Sequence, residues 1–225
     1  MLTLKNSKLQ DRVKMAKHHF YRVYPYMIRF DLPGASLFRN PPAWLEDHSL
    51  TVPKKTTIRY GRWDARQAVI SGVDLRAMYS YVQDVKCKVR VENNIFNAYF
   101  EDREQMENML DLTPEKWVDE IHYVPEHVTY KQIIVKQRRL RDMTHRIHLR
   151  NGRISQEETK RLRSLIEQYQ DALVIPVGLH KRIVREDRTY LFSNYFYTKD
   201  AGLITFIGLS LPGLVVDIFE TVCMS

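Results

Sequence analysis

The sequence predicts an α+β fold in which antiparallel β-hairpins pack against helices. The clearest sign is the strict alternation of apolar and basic residues over Val85–Val91, which a polar turn and a second apolar run follow. Apolar residues at helical spacing come after this hairpin and recur later in the chain. A content of 44% hydrophobic and 11% aromatic residues is typical of a folded globular protein. The 225 residues suffice for one large domain or two small ones.

Residues 1–80 are expected to form the first of four segments, beginning with a basic helix and an aromatic strand. Apolar residues at helical spacing predict a helix over Ser7–Phe20, and Gln10 follows Ser7 at the spacing of a capping box. The aromatic and β-branched run Tyr21–Leu32 predicts a strand. Because Pro25 lacks a backbone N–H, this strand should lie at a sheet edge or begin after the proline.

The rest of the first segment is expected to hold a short helix, a strand and a longer helix. The pair Pro41-Pro42 favours the start of a short helix at the second proline. Alternation within Leu50–Trp63 predicts a strand, and Asp64 is expected to cap a helix that continues to Tyr81.

Residues 81–126 are expected to form a ββα unit. The strand over 85–91 turns at Asn93-Asn94 into a return strand over 95–100, because asparagine tolerates the left-handed backbone of a hairpin turn. A helix then begins at Asp102 and is expected to restart at Pro114.

The same order is predicted for the last segment, residues 172–225, with a strand over 172–184, a turn at 185–188, a strand over 189–197, and an apolar helix opened by Asp200 and broken by Pro212. The interval from Asp102 to Pro114 is 12 residues, and so is the interval from Asp200 to Pro212. Either a duplicated ββα unit or chance accounts for this match.

The third segment, residues 127–171, carries the positive charge of the chain. Within it, Lys131–Arg163 holds 11 basic and three acidic residues, a net charge of +8 that equals the net charge of the whole chain. A strand to about Val135 and a helix over Gln137–Arg150 are expected, while Asn151-Gly152 fits either the end of that helix or a hairpin turn.

A second helix is expected from Ser155, which forms a capping box with Glu158, to about Gln170. The segment would then be a pair of basic helices flanked by the two ββα units, with Arg138 and Arg141 on a common face. All four segments could equally belong to one compact domain.

The concentration of arginine predicts a protein that binds nucleic acid without catalysing a reaction, because Lys and Arg neutralise phosphates and release their counterions. RNA is slightly favoured over DNA, since the tyrosine-rich runs Tyr21–Tyr26 and Tyr190–Tyr197 suit the stacking of unpaired bases. The residues expected to contact phosphates are Lys136, Arg138, Arg139, Arg141, Arg146, Arg150, Arg153, Lys160, Arg161 and Arg163.

Two other functions are compatible with the sequence. A structural or regulatory protein could use the same basic surface to dock on an acidic protein or within a viral assembly, and the composition suggests a viral or phage protein. A phosphodiester-cleaving enzyme would need groups such as His145, His148 or Glu186-Asp187, which are better explained as surface histidines and a turn. Glycine-rich phosphate loops and zinc-binding cysteine spacings do not occur. We therefore expect no catalytic residues, no metal and no cofactor.

Cysteine usage favours the cytoplasm or nucleus, which is the host-cell interior for a viral protein. Cys87 and Cys223 are too few for a disulfide framework, and the first residues lack the apolar core of a secretory signal. The uncharged run Ala201–Val216 is too short to cross a bilayer and contains Pro212-Gly213. It predicts a buried C-terminal helix, or an interface with a partner or a second copy, without membrane contact.

Overall fold

The computed structural model describes residues 2–39, 49–57, 63–85, 87–184, 190–191 and 194–223. The chain divides into two compact units, residues 1–127 and 128–225, at a boundary one residue from the one expected between the second and third segments. Both units combine helices with a mixed β-sheet, so the predicted α+β fold class is confirmed.

The first unit is built on a five-stranded sheet of order β1-β7-β2-β6-β5, in which β1 and β7 are parallel and the other pairs antiparallel. Strands β3 and β4 form a two-stranded sheet of their own. The elements in chain order are β1 (Val13–Met15), β2 (Tyr26–Asp31), β3 (Ser49–Thr57), β4 (Trp63–Ser71), α1 (Gly72–Asp84), β5 (Lys88–Glu92), β6 (Ile95–Phe100), α2 (Arg103–Asp111) and β7 (Val118–Tyr123).

Alternation along the strands gives this sheet one apolar face. Ile28 and Phe30 of β2 and Phe96 of β6 are fully buried and pack in one core with α1 and α2. The helices contribute residues at helical spacing, such as Leu75 and Met78 of α1. The helices therefore cover one face of the sheet, and the other face is called here the outer face of unit 1.

The second unit is built on a sheet of order β11-β13-β9-β14-β8, in which β14 and β8 are parallel and the other pairs antiparallel. Strands β10 and β12 form a separate pair. The elements in chain order are β8 (Gln132–Val135), β9 (His145–Leu149), β10 (Gly152–Arg153), α3 (Gln156–Gln168), β11 (Leu173–Val174), α4 (Val177–Val184), β12 (Tyr190–Leu191), β13 (Tyr195–Thr198), α5 (Ala201–Ser210) and β14 (Val215–Cys223).

Several predicted elements are confirmed. Asn93 has the positive φ of 54° that the turn between β5 and β6 requires. Strand β2 begins directly after Pro25. Ser155 and Glu158 form the predicted capping box at the start of α3. The carboxylate of Asp200 accepts hydrogen bonds from the first backbone N–H groups of α5, at 2.8 Å and 3.3 Å.

The predicted helix over Ser7–Phe20 is wrong. A 3₁₀ helix over Ser7–Arg12 is followed by β1, which pairs with β7. The predicted capping box is also absent, because Asn6 caps this helix and Gln10 accepts a hydrogen bond from the backbone of Leu4. Pairing with a strand more than 100 residues away thus overrides a weak local helical pattern.

Two further helices of the first unit are predicted with the wrong bounds or do not form. The stretch from Asp64 begins as β4, and α1 starts only at Gly72, with Ser71 as its cap. After Pro114 a short 3₁₀ turn leads into β7 rather than into a second part of α2. The short helix expected after Pro41-Pro42 lies outside the described residues.

The predicted helix over Gln137–Arg150 is the most consequential error. A 3₁₀ turn over Arg138–Leu140 is followed by β9, the central strand of the sheet. The strand expected over 172–184 is also wrong, because the two-residue β11 precedes α4. The turn expected at 185–188 lies outside the described residues.

Candidate nucleic-acid interface

The described helices of the second unit pack on one face of its sheet, and none of them packs on the other face. Ile147 and Leu149 of β9 are buried in a core with α3, α4 and α5. Because successive side chains of a strand point to opposite faces, Arg146 and His148 lie on the other face. We call it the outer face of unit 2, and it includes the neighbouring residues of β13 and β14 in register.

Aromatic rings and one guanidinium group occupy this outer face. The guanidinium carbon of Arg146 lies 3.5 Å from the ring centroid of Tyr195 and 5.9 Å from that of Tyr197. The His148 ring stacks on Tyr195 at 5.7 Å and meets the edge of Phe219 at 5.0 Å. The strands thus hold a contiguous layer of π-systems with a cation stacked on it.

The register explains why Arg146 is not neutralised by an acid. Its cross-strand neighbours are Tyr197 on β13 and Phe219 on β14, and neither carries a carboxylate. Asp217, an acid of this face, lies opposite His148 instead. Among the residues described, no carboxylate forms an ion pair with Arg146. Burial lowers the pKa of Arg146, against the opposing influence of Tyr197 and Tyr195. Arginine nevertheless stays protonated at physiological pH.

Residues 136–144, which connect β8 to β9, cross part of the outer face. Leu140 and Met143 pack there against Tyr197 and Val135. The backbone of this connection is held to β14, since Thr221 donates hydrogen bonds to the carbonyl groups of Thr144, at 2.9 Å, and of Met143.

This fixed connection carries three exposed cations. The side chains of Lys136, Arg138 and Arg141 all face solvent. With Arg146 they form what we call the cationic group of the outer face. These four are the predicted phosphate contacts that the structure places on or next to the aromatic layer; the side chain of Arg139 lies outside the description.

The other predicted contacts belong to the helical side of the sheet or are held in internal bonds. Arg150 pairs with Glu158 at 2.8 Å. Arg161 pairs with Glu157 on α3 at 3.1 Å, and Arg163 donates to the Ile183 carbonyl at 2.7 Å.

Arg153 and Lys160 are exposed, on β10 and α3. Because α3 packs on the face opposite Arg146, the sheet separates the cations of α3 from the outer face. The expected single positive face on a helix over 137–150 is therefore wrong, since the segment is a strand.

The histidine pair also takes a different arrangement from the expected helical one. His145 and His148 lie three residues apart on a strand and so point to opposite faces. Across the described ranges, no group of three His, Cys, Asp or Glu side chains could hold a metal ion. In those same ranges, no helix has the length and apolar character needed to span a membrane.

The tyrosines of the run Tyr190–Tyr197 were predicted from the sequence as stacking residues, but two features of the candidate site were not. One is Phe219, which lies beyond the run Ala201–Val216 that was expected to form a C-terminal helix. The other is the pairing of Arg146 with Tyr195. Alternation in the runs Arg146–Leu149 and Tyr195–Thr198 was the available signal, because period two in both runs places these side chains on one face.

The charge of the chain is concentrated in this unit. Residues 128–225 contain 16 basic and 10 acidic residues, a net +6, and residues 1–127 contain 19 and 17, a net +2.

Neither a known protein family, nor a curated protein, nor a solved structure matches this chain.

Proposed function

We propose that the second unit binds single-stranded nucleic acid, preferably RNA, on its outer face, without catalysing a reaction. The observation that carries the proposal is the guanidinium group of Arg146, stacked on Tyr195 in an aromatic layer that none of the described α-helices of this unit covers. We also propose a cytoplasmic or nuclear location, which the two free thiols of Cys87 and Cys223 favour.

Stacking and charge act together in this arrangement. Bases stack on aromatic side chains and on arginine planes, which contributes about 1–3 kcal/mol per base. Arg146 is already stacked and partly desolvated, so a phosphate or a base edge would satisfy donors that lack a carboxylate partner. Lys136, Arg138 and Arg141 would follow the backbone of the strand.

The shape of the site favours unpaired bases over a duplex. A sheet face with aromatic residues reaches bases only when they are not stacked inside a helix, which is the usual situation in single-stranded loops and ends of RNA. A duplex would offer this face only phosphates, so its affinity should be lower and more dependent on salt.

Fluorescence anisotropy with labelled oligouridylate, the matching DNA strand and a duplex tests the proposal. We expect the oligouridylate to bind most tightly, and Arg146→Gln to weaken it by at least about tenfold. The triple variant Lys136→Ala, Arg138→Ala, Arg141→Ala should weaken it as well. Lys181→Gln is the control, because Lys181 is exposed on α4, on the other side of the sheet.

A preference for the duplex, or an affinity that Arg146→Gln leaves unchanged, would exclude the outer face as the binding site. Absence of binding to all three nucleic acids would favour an acidic protein as the partner of the basic surface. Circular dichroism of each variant shows whether a loss of affinity comes from loss of folding.

A further inference from the structure

The two units share one topology. In each unit, the short first strand (β1 or β8) is parallel to the last strand (β7 or β14). The last strand also pairs with the second strand (β2 or β9), which is the central strand of the sheet. In unit 1, helix α2 connects β6 to the last strand, β7. In unit 2, helix α5 connects β13 to the last strand, β14, in the same way. The sheets correspond strand by strand when β1, β2, β5, β6 and β7 are matched with β8, β9, β11, β13 and β14.

A β-bulge in each sheet extends this correspondence from whole strands to individual residues. In unit 1, Arg29 lies opposite Glu120 but its neighbour Phe30 lies opposite Val118, so Asp119 is the extra residue. In unit 2, the same irregularity leaves Val216 as the extra residue between Val215 and Asp217. Bulges are specific features of a fold, and their coincidence in matched strands is not required by the topology.

The connections between the first two strands also correspond. Residues 16–25 in unit 1 and 136–144 in unit 2 both lay apolar side chains on one tyrosine of the outer face. That residue is Tyr99 on β6 in the first case and Tyr197 on β13 in the second, at matched positions. The helix that follows is capped by Asp102 or Asp200, again matched.

Arg146 and Tyr195 of unit 2 have no counterpart at the matched positions of unit 1. The register places Met27 where unit 2 has Arg146, and Asn97 where it has Tyr195. The stacked cation and its ring are thus both replaced. The connection covers the ring of Tyr99, because the rings of Phe20 and Tyr21 lie 5.6 Å and 5.0 Å from it.

Two cations on the outer face of unit 1 are paired with carboxylates. Arg29 pairs with Asp119 at 2.9 Å, and Lys14 pairs with Glu120. Lys88 lies over the ring of Tyr21, 3.9 Å from its centroid. Phosphate binding to Arg29 or Lys14 would have to displace these carboxylates.

We propose that the two units are copies of one fold and that, among the described residues, only the second carries an arginine stacked on a tyrosine of its sheet, so that one chain binds one single strand. This inference rests on the proposed function of unit 2. It explains the contrast between the two outer faces by substitutions at matched positions rather than by a difference in fold.

Calorimetric titration of the full chain with an oligouridylate of about eight nucleotides tests the stoichiometry, which should be one strand per chain. Two strands per chain would overturn the inference. Because this measurement uses the unaltered protein, it does not depend on how any variant folds.

A matched pair of variants tests which unit binds. Arg146→Gln and Arg29→Gln each remove one guanidinium group from an outer face, and we expect at least about tenfold weaker binding from the first and less than about twofold from the second. If both weaken binding equally, the inference is wrong while the proposed function stands. If neither variant weakens it, or if no binding occurs, the proposed function fails and the inference fails with it.

The equivalence of the units has its own test. In an experimental structure, overlaying the two sheets on their bulge residues, Asp119 and Val216, should place Tyr99 on Tyr197. Sheets that cannot be overlaid in this register would overturn the claim of two copies, whatever the stoichiometry.

Discussion

The salt dependence of binding measures how many cations contact the nucleic acid. For single strands, the logarithm of the affinity falls by about 0.7 per neutralised phosphate for each tenfold rise in salt. The four members of the cationic group, Lys136, Arg138, Arg141 and Arg146, therefore give a slope of about −2.8. Raising the salt from about 50 mM to about 200 mM should then weaken the binding of oligouridylate about 50-fold.

The ten contacts expected from sequence alone give a very different value. A slope of about −7 would follow from ten phosphates, and the same rise in salt would weaken binding by a factor of about 10⁴. Anisotropy titrations at four or five salt concentrations separate these slopes. The triple variant Lys136→Ala, Arg138→Ala, Arg141→Ala should reduce the slope to about −0.7.

The variant Arg161→Gln distinguishes binding on the outer face of unit 2 from binding on the helical side of its sheet. Because Arg161 pairs with Glu157 on α3, its removal should leave the slope unchanged. A slope near −7 for the unaltered protein, or a decrease of about 0.7 on removing Arg161, would refute the assignment of the outer face. It would show that the helical side of the sheet contacts phosphates.

Three further predictions concern stability and thiol chemistry. Hydrogen bonds from Lys14 and then from His122 lower the pKa of Glu120 to about 2 from an ordinary 4.5, so its stabilising contribution is present above pH 4.5 and is lost as the pH falls toward 2. Glu120→Gln should lower the free energy of unfolding by about 1 kcal/mol near pH 7, and denaturant titrations at several pH values should show this difference vanish on acidification. Burial raises the pKa of the Cys87 thiol to about 12, and Cys223 is exposed, so a thiol reagent near pH 8 should label one cysteine per chain rapidly and Cys223→Ser should abolish that phase. Ile147→Ala should cost about 2–5 kcal/mol of unfolding free energy, because the side chain is fully buried in a central strand; a cost of only a few tenths would contradict that placement.

Elements with unambiguous local patterns were predicted from the sequence. The alternation in Val85–Val91 predicts a strand, and β5 occupies the second part of this run, while Val85 ends α1. The capping box of Ser155 and Glu158 fixes the start of α3 because both side chains satisfy backbone donors locally. Asp200 is a cap of the same kind for α5. In each case the determining interactions lie within a few residues of one another.

The structure of the basic segment could not be predicted in this way, because its residues fit both the helical period and the two-residue period of a strand. Leu140, Met143 and Ile147 recur at helical spacing, while Arg146–Leu149 alternates as a strand does. The decision depends on β13 and β14, which flank β9 and begin about 50 and 70 residues later in the chain. A central strand with two partners gains ladder hydrogen bonds and core packing that no local pattern reports.

The register of β9 decides the chemistry of the site. A shift of one residue would exchange the faces, placing Arg146 in the core with α3 and Ile147 among the tyrosines. Burying an unpaired guanidinium group in that core would be strongly unfavourable, so the register is well determined. The same register leaves Arg146 opposite Phe219, whereas the matched Met27 in unit 1 lies opposite His122. Two sheets of one topology thus differ in charge because of the residues at a few matched positions, and these positions are where a test of binding should begin.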